Sequence, residues 1–156
     1  MGREIERKFL IKGEQWRSLS HGGKYYCQGY IPTSQAGTTV RVRIIEDQGY
    51  LTIKGPSVGN ARDEFEYMIP LNDAQEILHS LCERPYIEKT RHKILIDGLM
   101  WEIDEFLGDN MGLILAEVEL LESNQVINLP PWVGAEVSED HRYYNSNLAK
   151  HPYKFW

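Results

Sequence analysis

Carboxylates two residues apart recur along this chain, each pair inside a stretch whose apolar and polar residues alternate. The pairs are Glu4/Glu6, Glu64/Glu66, Glu102/Asp104 and Glu117/Glu119. Cations recur in the same manner at Arg41/Arg43, at Lys54 alone and at Lys89/Arg91/Lys93. Side chains at i and i+2 share one face of a β-strand, so each of these strands presents a single sign of charge on one face. One such pair is ordinarily the solvated face of a half-buried sheet. Repeated strand after strand, the pattern asks for another explanation, because like charges on neighbouring positions repel and a solvated face gains from mixing them. A divalent cation compensates acidic pairs, and a polyanion compensates Arg and Lys. Together they imply a ligand carrying both signs: a metal–polyphosphate complex.

The elements that must hold these charges are mostly short strands. Period-two alternation, and at 25–31 a Tyr-rich run, predicts strands over residues 4–11, 25–31, 39–45, 50–54, 62–69, 89–95, 99–106 and 113–121. Asp97-Gly98 suits a type I′ turn and makes the sixth and seventh of these a hairpin. Short connections make the pairing mainly antiparallel. The fold class is mainly β (α+β), and eight strands can close into a barrel with a charged, hydrated interior and covered apolar exterior. One helix is predicted, with Asn72 as its cap and Gln75 completing a capping box. Its apolar stripe is Ala74, Ile77, Leu78 and Leu81, and Pro85 ends it. Short helical turns are expected at 15–19 and 145–150.

Composition narrows the function classes. The 156 residues, 42% hydrophobic and 26% charged, read as one globular domain spanning 1–156. A net charge of −6 argues against a general binder of nucleic acid or anionic membrane. No apolar run approaches the roughly 18 residues of a membrane span. Cys27 and Cys82 form no metal-type spacing and read as reduced thiols, and no apolar signal region follows the N-terminus, so a cytoplasmic protein is expected. No P-loop sequence occurs. The five histidines lack ligand spacing, and Trp101 lies on an apolar strand face as a packing residue.

Glu4-Ile5-Glu6-Arg7-Lys8 resembles the N-terminal ExExK signature of the CYTH, or triphosphate tunnel metalloenzyme, superfamily. Arg41-Val42-Arg43, Thr52-Ile53-Lys54, Glu64-Phe65-Glu66, Glu88-Lys89-Thr90-Arg91, Glu102-Ile103-Asp104 and Ala116-Glu117-Val118-Glu119 extend the likeness in order. The segment from Glu136 to Asn145 is similar to the closing motif of small bacterial members. The resemblance implies an eight-stranded antiparallel tunnel that acts on triphosphate groups with a divalent metal. It is nearest the tripolyphosphatase branch, with class IV adenylate cyclases and thiamine or nucleoside triphosphatases as the alternatives. A non-catalytic polyphosphate- or nucleotide-binding module is the alternative of another class.

Expected roles follow from resemblance and charge together. Mg²⁺ or Mn²⁺, which take hard oxygen ligands, are expected on Glu4, Glu6 and Glu119, with Glu117 a second ligand, a water organiser or an inward salt bridge. Lys8, Arg41, Arg43, Lys54 and Arg91 are the expected triphosphate contacts, since Arg suits bidentate phosphate binding and Lys acts as a point charge. Lys89 and Tyr30 are candidates to orient the attacking water, with wall packing the plainer reading of Tyr30. Glu64, Glu66, Glu102 and Asp104 either orient the cations or bind a second metal. The expected partner is a small molecule bearing a triphosphate, and apolar outer strand faces allow a homodimer.

Overall fold

Alternation of charged and apolar residues places two incompatible surfaces on every strand, and the chain resolves this by curling one sheet so that its charged face lines a cavity. A computed structural model describes residues 2–156. Among them ten strands form one antiparallel sheet: β1 (Glu4–Ile11), β2 (Gly23–Ile31), β3 (Thr39–Ile45), β4 (Gln48–Lys54), β5 (Ala61–Arg62), β6 (Glu64–Ile69), β7 (Ile87–Ile96), β8 (Leu99–Phe106), β9 (Ile114–Glu119) and β10 (Val133–Glu136). The pairing order is β10-β1-β9-β8-β7-β2-β3-β4-β6, with β5 paired to β1 off this path.

The expected closed barrel of eight strands is corrected on two counts. The predicted strand at 62–69 divides at Asp63 into β5 and β6, and the short β10 pairs with β1 in a region that carried no alternation signal. The ladder also runs open, with β10 and β6 at its ends. The two-residue β5 and reciprocal backbone hydrogen bonds between Gly2 and Glu64 lie where closure would occur. A strand of two residues cannot sustain a ladder, so the contact there is short.

Register does the positioning. Across β1 and β9, Glu6 faces Glu119 and Lys8 faces Glu117. Arg91 faces Asp104 and Lys93 faces Glu102 across β7 and β8. Gln28 faces Arg43 and Tyr30 faces Arg41 across β2 and β3. Thr52 faces Glu66 and Lys54 faces Glu64 across β4 and β6. A slip of one residue in any ladder would send these side chains to the apolar exterior. The predicted hairpin forms at Asp97-Gly98, both residues with positive φ (51° and 77°) as a type I′ turn requires.

The hydrophobic core therefore lies outside the charged lining, in three clusters. Phe9, Trp101, Ile103 and Val118 pack under the 3-10 turn Gln15–Leu19, whose Trp16 is fully buried, and under Trp132. Val42 is covered by Ala74 and Leu78 of α1 (Leu71–Leu81). Gly29 lets that helix approach: a Cβ there would lie 2.8 Å from Cys82 Cβ and 2.9 Å from Leu78 Cδ2. The predicted cap is corrected here, since Pro70 occupies the cap position and no side chain caps the helix; Asn72 lies inside the first turn. Ile87, Phe106, Leu113 and Leu115 form the third cluster beneath Tyr143 and Leu148, the latter from α2 (Asn145–Lys150).

Candidate active site

A cavity of about 390 Å³ runs along the concave face of the sheet. Along β1 its lining reads Glu4, Glu6 and Lys8, a span of about 13 Å at strand rise. The structure brings every predicted site residue to this cavity except Asp104, which lies behind its wall. Lys89 is 1% exposed and Asp104 is fully sealed.

At one end, Lys89 Nζ donates to Asp104 Oδ2 at 2.8 Å, while Arg91 donates from Nε to Oδ1 and from Nη2 to Oδ2 at 2.7 and 2.8 Å. Burial raises the Asp104 carboxyl, but the charges and hydrogen bonds of Arg91 and Lys89 outweigh it and hold the group well below the ordinary carboxylate range. Burial acts on Lys89 in the other sense. It pulls the ammonium down to about 7, with Arg91 and Arg43 assisting and Asp104 opposing. Glu117 lies 3.4 Å from Lys8 Nζ and 3.7 Å from Arg91 Nη2. These cations overcome its burial and keep it ionised.

Along the other wall, Arg43 Nε donates to Gln28 Oε1 at 2.8 Å, and Arg41 Nη2 donates to Thr52 Oγ1 and Glu66 Oε2 at 3.0 and 3.1 Å. Burial, with Arg41 and Arg91 nearby, lowers the Arg43 guanidinium to about 10. Tyr26 lies under both Arg43 and Arg91, whose guanidinium carbons sit 5.0 and 5.1 Å from its ring centroid. Lys54 Nζ lies 2.8 Å from Glu4 Oε2 and 3.5 Å from Glu64 Oε2. Glu102 reaches Arg91 at 3.3 Å and Lys93 at 3.7 Å.

Most acidic pairs are thus compensated by cations of the adjacent strand, and no bound ion is needed to explain them. The exception is Glu6 with Glu119. Glu6 is pushed well above the ordinary range by burial and by Glu117 and Glu4; Glu119 is raised by burial, Glu4 and Glu102. Carboxylates opposite each other in register, neither in a salt bridge among the described residues, have the chemistry of a hard-cation site. Among the described residues no three carboxylate, His or Cys side chains are gathered as a ready metal cage. Glu4 is turned toward Lys54, which holds its carboxyl down to about 2 against the effect of burial. The donors still suit Mg²⁺ or Mn²⁺, which bind through one or two carboxylates and complete their shell with water and phosphate oxygens.

Several site residues lie outside the alternation argument. Tyr50, Ser138, Tyr144 and Asn145 line the cavity, whereas Tyr26 and Gln28 share the inward strand face of Tyr30, Tyr26 lining the cavity and Gln28 supporting it from full burial. Lys8 Nζ donates to the Tyr143 carbonyl at 3.2 Å and Lys89 Nζ to Asn145 Oδ1 at 2.8 Å. The closing motif between Glu136 and Asn145 was the available signal, but its neutral residues stand far in sequence from the strands they meet.

Among known proteins, the CYTH domain model matches residues 2–153. An inorganic triphosphatase of Acetivibrio thermocellus is 53% identical over 154 residues, covering 99% of this chain and 97% of the relative. An inorganic triphosphatase of Nitrosomonas europaea is 36% identical over 153 residues, covering 94% of this chain and 96% of that protein. The crystal structure of the inorganic triphosphatase NE1496 superposes with a TM-score of 0.64 at 35% identity, covering 94% of this chain and 93% of its own. A charged cavity built from the ordered motifs of β1, β3, β4 and β6–β9 is therefore matched by likeness over nearly the whole length, and this chain belongs to the CYTH domain family.

Proposed function

We propose that this protein is an inorganic triphosphatase, hydrolysing tripolyphosphate to pyrophosphate and phosphate with Mg²⁺ or Mn²⁺. The observation that carries this reading is the lining itself: Lys8, Arg41, Arg43, Lys54, Lys89 and Arg91, from four strands, face one cavity. That density of cations matches a linear polyanion, and the full-length likeness to two inorganic triphosphatases supports the reaction.

Phosphoryl transfer depends mainly on positioning and on charge placed against the phosphoryl oxygens. In this reading Lys8, Arg41, Arg43, Lys54 and Arg91 bind and align the triphosphate. Glu64, Glu66, Glu102 and Asp104 orient Lys54, Arg41 and Arg91, a role supported by ion pairs between 2.7 and 3.5 Å. Glu4, Glu6 and Glu119 would hold the metal, which when bound supplies further positive charge beside the phosphates. Lys89, Tyr30 and Glu117 orient the attacking water. A pKa near 7 suits Lys89 to exchanging a proton at neutral pH. Tyr30 lines the cavity with its hydroxyl accepting from Gln28 Nε2 at 3.2 Å, which leaves the O–H available as a donor.

Among the described residues no helix is long and apolar enough to cross a membrane. A single domain is supported by one family model matching residues 2–153, and a cytoplasmic site by two unpaired cysteines.

The test is a panel of tripolyphosphate, ATP, thiamine triphosphate and pyrophosphate with each metal, following phosphate, pyrophosphate and cyclic AMP. Tripolyphosphate should be the best substrate. Cyclic AMP formed from ATP faster than phosphate from tripolyphosphate would reassign the reaction, and tight binding without turnover would make the tunnel a sensor.

A further inference from the structure

The closing motif ends in Asn145, and the structure gives that residue two partners far from it in sequence, on the paired strands β2 and β7. Its Oδ1 lies 2.8 Å from Lys89 Nζ and 3.3 Å from Gln28 Nε2. The orientation of a carboxamide is settled by what surrounds it. An ammonium only donates, so the atom of Asn145 facing Lys89 must be the oxygen. The same logic fixes Gln28: Arg43 Nε only donates, so Gln28 turns Oε1 toward Arg43, at 2.8 Å, and Nε2 toward Asn145. Two cations at separate points of the wall thus impose one direction on a chain of neutral amides.

The consequence lies on the other side of Asn145. With Oδ1 committed to two donors, Nδ2 is left without a hydrogen-bond partner among the described residues, and Asn145 lines the cavity. An amide N–H₂ group beside Lys89 in this wall is a donor for an anionic oxygen. It also differs in kind from the cations that line the cavity. Being neutral and held by its oxygen, it adds direction without adding charge, and it marks one position along the cavity beside Lys89.

We propose that Asn145 is a substrate-orienting residue, its Nδ2 donating to a phosphoryl oxygen of the bound triphosphate while its Oδ1 holds the Lys89 ammonium in register with that same group. This rests on the triphosphate reading of the cavity and deepens it by naming the neutral donor that fixes the substrate's position beside Lys89. It also gives the closing motif a purpose: α2 folds back over the Phe106 cluster and delivers its first residue to the tunnel.

The experiment compares wild type, Asn145→Asp and Asn145→Ala for tripolyphosphate binding by calorimetry in the presence of a chelator, and for kcat and KM with metal. Asp is nearly isosteric and keeps an oxygen for Lys89, but it replaces the free donor by an acceptor facing the phosphate. Binding should weaken by about tenfold or more in Asn145→Ala and further in Asn145→Asp, with KM following in that order. The charge of Asp alone disfavours a nearby polyanion, so Asn145→Ala, which adds no charge, is the deciding comparison. Asn145→Asp equal to or better than Asn145→Ala overturns the inference, as does binding by Asn145→Ala within twofold of wild type; the latter decides the matter alone should Asn145→Asp not fold. Wild type that neither binds nor hydrolyses tripolyphosphate would instead overturn the reading of the cavity.

Discussion

Asp104 and Lys89 form a salt bridge of 2.8 Å that is sealed from solvent at both ends, and Arg91 closes the other side of the same carboxylate. One buried anion thus holds two cations whose heads reach the cavity. Removing it leaves the buried Lys89 charge beside Arg91 with no ion-pair partner among the described residues, which costs far more than the pair contributes relative to an apolar replacement.

Asp104→Asn should therefore destabilise the protein by about 3–5 kcal/mol, read as a lowered midpoint in urea. The pH dependence has a definite sign. The folded carboxyl is held below its unfolded value, so its contribution is fully present above about pH 4 and is lost as pH falls below that. The stability gap between wild type and variant should hold or widen from pH 7 to 5, because without Asp104 the buried Lys89 is harder to protonate, and should narrow in stronger acid. A gap that narrows between pH 7 and 5 would contradict this.

Lys89 supplies a second pH signature. Its ammonium, lowered to about 7 by burial, is mostly protonated at pH 6 and mostly neutral at pH 8. The pH profile of kcat should carry an inflection near 7. Lys89→Met should remove that inflection and lower kcat by about 10²-fold or more, the scale of a lost proton-transfer group. An inflection that survives in the variant assigns it to another group.

Arg43 is buried but reaches the cavity, its Nε committed to Gln28 and its remaining N–H groups available to the ligand. Arg43→Ala should raise KM for tripolyphosphate by about tenfold or more, the value of a charge-assisted contact. The weakening should be larger at low salt than at high salt, since part of it is electrostatic. Unchanged KM and kcat would remove Arg43 from the site.

Glu6 presents function and stability with opposite signs. Its carboxylate is repelled by Glu117 and Glu4 and lies opposite Glu119. Glu6→Gln imitates the protonated form and removes the repulsion, so the metal-free variant should melt at or above the wild-type temperature. Metal-dependent turnover should nevertheless be nearly abolished, because a carboxamide is a poor ligand for Mg²⁺ or Mn²⁺. Near-normal turnover would displace Glu6 from the metal site, and a lower melting temperature would contradict the repulsion.

Much of this protein was legible in the order of its residues. Period-two alternation, with a Tyr-rich run at β2, identified the strands of the open ladder except β10, because a side chain's face on a strand depends only on parity. The same parity put Glu4, Glu6, Lys8, Arg41, Arg43, Lys54, Lys89 and Arg91 on one surface. Local chemistry likewise set the Asp97-Gly98 turn and the apolar stripe of α1. Tertiary structure decided how charges pair between strands. Register places Lys8 opposite Glu117 and Arg91 opposite Asp104, so most acidic pairs meet cations next door and only Glu6 with Glu119 remains in want of one. It also decided the neutral part of the site: Asn145 stands 56 residues from Lys89 and 117 from Gln28, and no pattern along the chain links them. A hydrogen bond between amides is specified by distance and direction in space. Those exist only once the sheet has curled and α2 has packed across its end.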